Sequence, residues 1–241
     1  MLEIYAVRLD YAFEKSKYAR LLTCIAAEKQ ERVGRFYKYE DALRTLISDV
    51  LVRYLVCGRL KVNNQELLFT TNEYGKPFLS NYAGIQYNTS HSGRWVVCAL
   101  ADRPVGIDIE QIKPIDLRIA ERFFSKQEFE SLMSKEEAHR EEFFYELWAS
   151  KESYIKAIGK GLSIPLDSFS VNIGEEAVRL ESKSQPEAYF FKKYFVEQGY
   201  KMVACSCDSG FPERVGFMEA NELYERALRL FEGKGQPAWN L

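Results

Sequence analysis

Neither sign of charge is in excess. Lys and Arg number 33 against 35 Asp and Glu, a net charge of −2. That balance argues against a duplex nucleic-acid binder, which shows a basic surplus. Long apolar runs are missing as well, and none approaches the roughly 18–20 residues of a membrane span. The opening M-L-E-I-Y has neither the basic start nor the apolar centre of a signal peptide. The expectation is a soluble, cytoplasmic chain with no membrane and no nucleic-acid partner. Cysteine is sparse: Cys24, Cys57, Cys98, Cys205 and Cys207 are odd in number, with no C-x-x-C and no nearby histidine partner. This speaks against a zinc site and for buried free thiols in a reducing compartment. No G-x-S-x-G occurs, which disfavours a serine hydrolase, and Gly159-Lys160-Gly161-Leu162 ends a helix where a P-loop would open one.

What is present is an ordinary globular composition, 46% hydrophobic and 28% charged over 241 residues, enough to bury a real core. Residues 2–9 alternate, with Tyr5, Val7 and Leu9 on one side, and predict an opening strand. Helical spacing runs from Ser16 to Phe36, and a stronger helix from Asp41 to Cys57. Tyr74-Gly75-Lys76-Pro77 predicts a turn, 85–89 a short strand, Ser90-His91-Ser92-Gly93 a loop, and 95–100 a buried strand. Asp102-Arg103-Pro104 forms a joint. Beyond it Val105, Ile107 and Ile109 alternate with Gly106, Asp108 and Glu110, the pattern of a strand with one apolar face. Helices are expected over 122–133 and 141–158, and strands near 168–173, 188–196 and 201–207. The amphipathic stretch 221–231 carries no assigned chemistry.

The two halves echo each other. Arg35-Phe36-Tyr37 with Asp41 six places after its Arg resembles Arg122-Phe123-Phe124 with Glu128. Each half then gives a long apolar helix and a late strand, V-V-C-A at 96–99 and M-V-A-C at 202–205. A duplicated α+β unit with its seam near 102–105 fits this, and chance similarity of short segments is the plainer alternative. The expected fold class is α+β. The divisions are 1–103, 104–220 and a C-terminal tail, 221–241.

The chemistry centres on W-A-S-K-E-S-Y-I-K-A-I-G-K-G, 148–161. At helical spacing Trp148, Glu152 and Lys156 share one face. A packed Trp beside a surface ion pair would account for them, and so would a reactive face. Asp108 and Glu110, at i,i+2 on a strand, point the same way and repel unless a cation neutralises them. Hard oxygen donors without histidine or thiol suit Mg²⁺; a solvated acidic face is the plainer alternative. Glu152 offers a third carboxylate. Lys76 in its turn and Ser90-His91 in a Gly-ending loop are typical places to hold phosphate. Together these residues describe a metal-bound pyrophosphate ringed by cations.

With those residues in view, Y-G-K-P (74–77), Y-N-T-S-H-S-G-R-W (87–95), V-G-I-D-I-E (105–110), F-F-S-K-Q-E (123–128) and W-A-S-K-E-S-Y-I-K-A-I-G-K-G-L (148–162) resemble the surfactin-type 4′-phosphopantetheinyl transferases. The similarity runs from the first strand to about Glu219. The resemblance implies two pseudosymmetric halves, each a small, mainly antiparallel sheet packed against a long helix, in a monomer that transfers 4′-phosphopantetheine from coenzyme A to a serine of an apo peptidyl or acyl carrier protein, releasing adenosine 3′,5′-bisphosphate. It implies Mg²⁺, or Mn²⁺ in its place, on Asp108, Glu110 and Glu152. The base is Glu152 or a metal-bound water, Lys156 meets the charge on the leaving phosphate, and Glu128 assists. Ser90 and His91 would hold the 3′-phosphate. Lys29, Arg32, Thr45, Gly75 and Lys76 would surround the nucleotide, and Lys151 would be a further cation. The carrier, usually acidic, would dock near Lys113, Ile115, Leu117, Arg118 and Phe124, an apolar patch with a basic rim. Where the family has Ser-Pro this chain has Ala26-Ala27, so an N-cap before Glu28 is missing. A Mg²⁺-dependent phosphohydrolase and a non-catalytic coenzyme A-binding module are the competing readings; the module has no use for the Glu152–Lys156 pairing.

Overall fold

The computed structural model describes residues 1–174, 178–181 and 188–234. In the first half a strand, β1 (Glu3–Arg8), leads into two short helices, α1 (Lys15–Leu22) and α2 (Ala27–Gly34), and then the 22-residue α3 (Tyr39–Leu60). A short hairpin follows, β2 (Phe69–Thr71) with β3 (Pro77–Leu79), and then two longer strands, β4 (Gln86–Ser92) and β5 (Trp95–Ala101). The second half repeats this order. It runs β6 (Val105–Gln111), α4 (Arg118–Phe123), α5 (Lys126–Met133) and the 22-residue α6 (Glu137–Ile158). The hairpin β7 (Ser170–Ile173) and β8 (Val178–Glu181) then precedes β9 (Phe190–Tyr194) and β10 (Tyr200–Ser206). The sheet orders match too, β1-β5-β4 and β6-β10-β9, antiparallel throughout. This is the expected α+β fold of two pseudosymmetric halves.

Strand periodicity explains the layering. In β1, Tyr5 and Val7 face the core under α3, while Ile4 and Ala6 face the seam between the halves. Val97 and Ala99 of β5 lie beside them, and Ile107 and Ile109 of β6 meet that seam from the other side with Met202 and Ala204 of β10. The two sheets therefore pack face to face, with α3 outside one and α6 outside the other. The expected single apolar face on β6 is there, Val105, Ile107 and Ile109 lying in the seam, but the acidic face is not solvated: it is covered too, with Asp108 buried beneath α6. Gly106 permits this, because a methyl group there would run into the Ser153 carbonyl of α6.

Several expected boundaries shift. The helical stretch 16–36 is two helices, bent between them so that Ile25 reaches the core. The stretch 122–133 likewise breaks at Phe124, which is extended and buried. Ser125 and Glu128 then form a reciprocal capping box that restarts the helix as α5. Ser90-His91-Ser92 is strand and not loop, paired as far as Ser92 with Trp95 across a turn at Gly93-Arg94. The strands β2, β3 and β8 were not anticipated from the sequence.

The last elements return to the first half. A strand, β11 (Gly216–Glu219), pairs in parallel with the outer edge of β1, and α7 (Ala220–Phe231) sets Leu223 and Ala227 into the core around α3. Residues expected to close the second half and to form a separate tail thus complete the first sheet. Of that tail, 235–241 lie outside the described residues.

Candidate active site between the two halves

A cleft of about 490 Å³ opens where α2 and α3 of one half face α6 of the other, floored by β4 and β6. Trp148, Glu152 and Lys156 line it together, as their spacing required. Asp108 and Glu110 of β6 rise from the floor with Ser90 and His91 of β4, and Thr45 of α3 lines the opposite wall. Lys29 and Arg32 reach the rim from α2, although its N-cap, Ala26, makes no side-chain capping bond. Burial of Ile25 and Val33 holds that helix in place instead.

Lys156 Nζ lies 2.5 Å from Asp108 Oδ1 and 3.2 Å from Ser90 Oγ. Ser90 in turn donates to Asp108 Oδ1 at 2.7 Å. Burial disfavours the Lys156 ammonium, but Asp108, Glu152 and Glu110 outweigh it and raise its pKa. Asp108 Oδ2 is buried without a hydrogen-bond partner, an acceptor left for something the protein does not supply. Glu110 accepts from Ser92 Oγ at 3.0 Å. Burial and the neighbouring Asp108 push its pKa up to about 7. Burial and Asp108 raise Glu152 as well, against the pull of Lys156. Three carboxylates, Asp108, Glu110 and Glu152, thus gather around the single ammonium of Lys156. Among the described residues no three His, Cys, Asp or Glu side chains close into a ready-made metal cage. A hard cation that takes a few carboxylate oxygens and completes its shell with water and phosphate fits these donors.

His91 lines the cleft with its pKa lowered by surrounding protein, by Arg44 and by Lys156. Its imidazole is therefore neutral near pH 7.

Four expected site residues lie elsewhere. Lys76 turns its ammonium away from the cleft onto the carbonyls of Val105, Lys156 and Ala157, at 3.3, 2.7 and 3.1 Å. Burial lowers its pKa to about 8. It caps the C-terminus of α6, which needs such a donor, while its neighbour Gly75 supplies the positive φ of the turn and does not line the cleft. Glu128 and Lys151 form a wholly buried pair, 2.5 and 2.7 Å, outside the cleft. Lys151 also donates to the Phe169 carbonyl, and Glu128 accepts from the amides of Ser125 and Val171. Every donor and acceptor there is engaged in joining α5, α6 and β7, and neither residue lines the cleft.

Two family models match the chain. One described as the 4′-phosphopantetheinyl transferase superfamily covers residues 104–205, and one described as 4′-phosphopantetheinyl transferase, N-terminal, covers 11–103. The chain is 43% identical over 223 residues to the 4′-phosphopantetheinyl transferase Sfp of Bacillus subtilis (strain 168), spanning 92% of this chain and 100% of that one. It is 44% identical to the 4′-phosphopantetheinyl transferase ffp of Bacillus subtilis, over 89% of this chain and 96% of that one. To the 4′-phosphopantetheinyl transferase gsp of Aneurinibacillus migulanus it is 40% identical, over 88% and 87%. This chain belongs to the Sfp-type 4′-phosphopantetheinyl transferases.

As a member of that family it is a transferase that uses coenzyme A and modifies carrier proteins. The family models meet at 103/104, where the seam lies. Ser48, Asp49 and Thr89 also line the transferase cleft and have no sequence motif that marks them; a further polar residue, Ser92, stands behind the lining. Ser92 holds Glu110, and its i,i+2 spacing from Ser90 repeats that of Asp108 and Glu110. Treating S-H-S as strand would have exposed the match.

Proposed function

We propose that the cleft carries out Mg²⁺-dependent transfer of 4′-phosphopantetheine from coenzyme A to a carrier serine, with Asp108, Glu110 and Glu152 holding the cation. The observation that carries this reading is the buried, unpartnered Asp108 Oδ2 between two carboxylates whose pKa values burial has raised. A bound Mg²⁺ would supply the charge that tethers a pyrophosphate and polarises its phosphorus. Glu152, with its raised pKa, accepts the proton of the attacking serine. Lys156 meets the negative charge that develops on the leaving phosphate. Lys29 and Arg32 attract the nucleotide, and the neutral His91 donates a hydrogen bond to the 3′-phosphate.

No wall of the cleft is needed for the thiol end, so the pantetheine arm points to solvent and acyl-loaded coenzyme A is accepted. The carrier docks over the segment after β6. There Ile115 and Leu117 are half-buried, and Lys113 and the exposed Arg118 provide the basic rim, Arg118 shared with Asp116. Phe124 takes no part, being only 3% exposed and packed, with tilted rings, against Phe144 and Trp148. One chain contributes both walls of the cleft, which supports a monomer. Five free cysteines, and the lack of any described helix long and apolar enough to cross a membrane, accord with a cytoplasmic setting.

The test mixes the protein with coenzyme A, MgCl₂ and several apo-carriers and weighs the carriers by mass spectrometry. A mass gain of one phosphopantetheine, lost in chelator and restored by Mg²⁺ or Mn²⁺, is expected. Coenzyme A cleaved without carrier modification would point to a phosphohydrolase, and full transfer in chelator would remove the metal.

A further inference from the structure

β4 and β6 are the facing edges of two different sheets, and no backbone ladder joins them. Side chains bridge them instead. Asn88 Oδ1 accepts from the Ile107 amide at 2.9 Å, Ser90 donates to Asp108 at 2.7 Å, and Ser92 donates to Glu110 at 3.0 Å. These three β4 residues, each two apart, run alongside the acidic strand rung by rung.

We propose that Ser92 is a positioning residue for the transfer reaction, its hydroxyl fixing the Glu110 carboxylate so that its second oxygen faces the cation. The proposal rests on Glu110 being a metal ligand. The Gln111 amide donates to Ser92 Oγ at 3.0 Å. With that lone pair engaged, the single hydroxyl proton of Ser92 goes to Glu110 Oε2, which accepts it. The direction of the bond is thus set by the backbone of the strand that carries Glu110.

The two rungs are not equivalent. Asp108 is held by Lys156 as well as Ser90. For Glu110, Ser92 is the hydrogen-bond donor found among the described residues. The turn beyond Ser92 is clamped to the second half. Arg94 N donates to Tyr200 Oη at 3.2 Å, and Tyr200 pairs with Gln111 in the β6–β10 register. Gly93, at φ +53°, lies so close to the Tyr200 hydroxyl and the Gln111 side chain that a methyl group there would collide with both. Ser92 therefore has a fixed place relative to β6, as a partner that orients a metal ligand requires.

The experiment uses the full chain with coenzyme A and no carrier, and titrates MgCl₂ calorimetrically into wild type, Ser92→Ala, Ser92→Thr and Glu110→Gln. Second-layer partners of metal ligands typically change affinity about 10–100-fold, and the lower end, about tenfold weaker Mg²⁺ binding, is expected for Ser92→Ala. Ser92→Thr keeps the hydroxyl on a β-favouring residue and should stay within about twofold of wild type. In parallel kinetics the Mg²⁺ midpoint should rise in Ser92→Ala while KM for coenzyme A at saturating Mg²⁺ stays put. Wild-type Mg²⁺ affinity in Ser92→Ala overturns the proposal. So does a loss as large in Ser92→Thr, or a fall in Mg²⁺ affinity matched by an equal rise in KM for coenzyme A. If Glu110→Gln itself binds Mg²⁺ like wild type, Glu110 is not a ligand, and both this proposal and the metal assignment fail.

Discussion

The two halves share an order of elements, a sheet order and a 22-residue helix, yet the strand under each helix is dressed differently. Toward α3, β1 presents Tyr5 and Val7; toward α6, β6 presents Gly106, Asp108 and Glu110. The same backbone arrangement thus gives an apolar floor in one half and an acidic one in the other. The glycine matters as much as the acids, since it lets α6 settle close enough for Lys156 to reach Asp108. The first half contributes Thr45 on the wall and His91 on the floor, with Lys29 and Arg32 at the rim. The repeated frame is common to both halves, and chemistry needs only one strand face and the helix face above it to differ.

The sharpest test contrasts matched positions. Asp108→Ala should lower transfer by about a thousandfold or more, the scale of losing a principal electrostatic group, with the fold intact by circular dichroism. Val7→Ala, in the other half, should instead cost about 2 kcal/mol of stability for the emptied space while the folded fraction keeps its kcat. If Asp108→Ala unfolds the chain or Val7→Ala abolishes turnover, the division into frame and chemistry is wrong.

Next in size is the buried Glu128–Lys151 pair. Glu128→Ala strands a fully buried ammonium whose pKa burial already lowers against the pull of Glu128. It should cost about 3–5 kcal/mol in urea unfolding, with near-normal turnover per folded molecule at low temperature. A stable but inactive variant would return Glu128 to the reaction.

The smallest effect concerns pH. In the folded chain Glu110 has a pKa of about 7 against an ordinary 4.5. The proton-linked stability from this group is complete below about pH 4.5, and is lost as pH rises through about 7. Glu110→Gln in chelator should therefore be more stable than wild type at pH 8, by about 1–3 kcal/mol, with the gain vanishing near pH 4.5. Added Mg²⁺ should stabilise wild type and not the variant. No gain at pH 8 would mean that the carboxylate is not electrostatically strained. Transfer by wild type at limiting Mg²⁺ should fall as pH drops through about 7, because protonated Glu110 no longer attracts the cation.

Sequence alone determined the alternation of helices and strands, the shared face of Trp148, Glu152 and Lys156, and the common direction of Asp108 and Glu110. All of these depend on local periodicity, 3.6 residues for a helix and two for a strand, so short-range spacing suffices. Tertiary structure decided what long-range packing alone can decide. Lys76, Glu128 and Lys151 were legible as charges, but which partner each found depended on segments far along the chain: the end of α6 for Lys76, and β7 for the other two. A charged side chain is long and its local pattern does not say which way it turns; burial forces it onto whatever donors or acceptors the fold brings near. The same holds for β11 and α7, whose short, weakly patterned strand found its place because the outer edge of β1 was open to pairing.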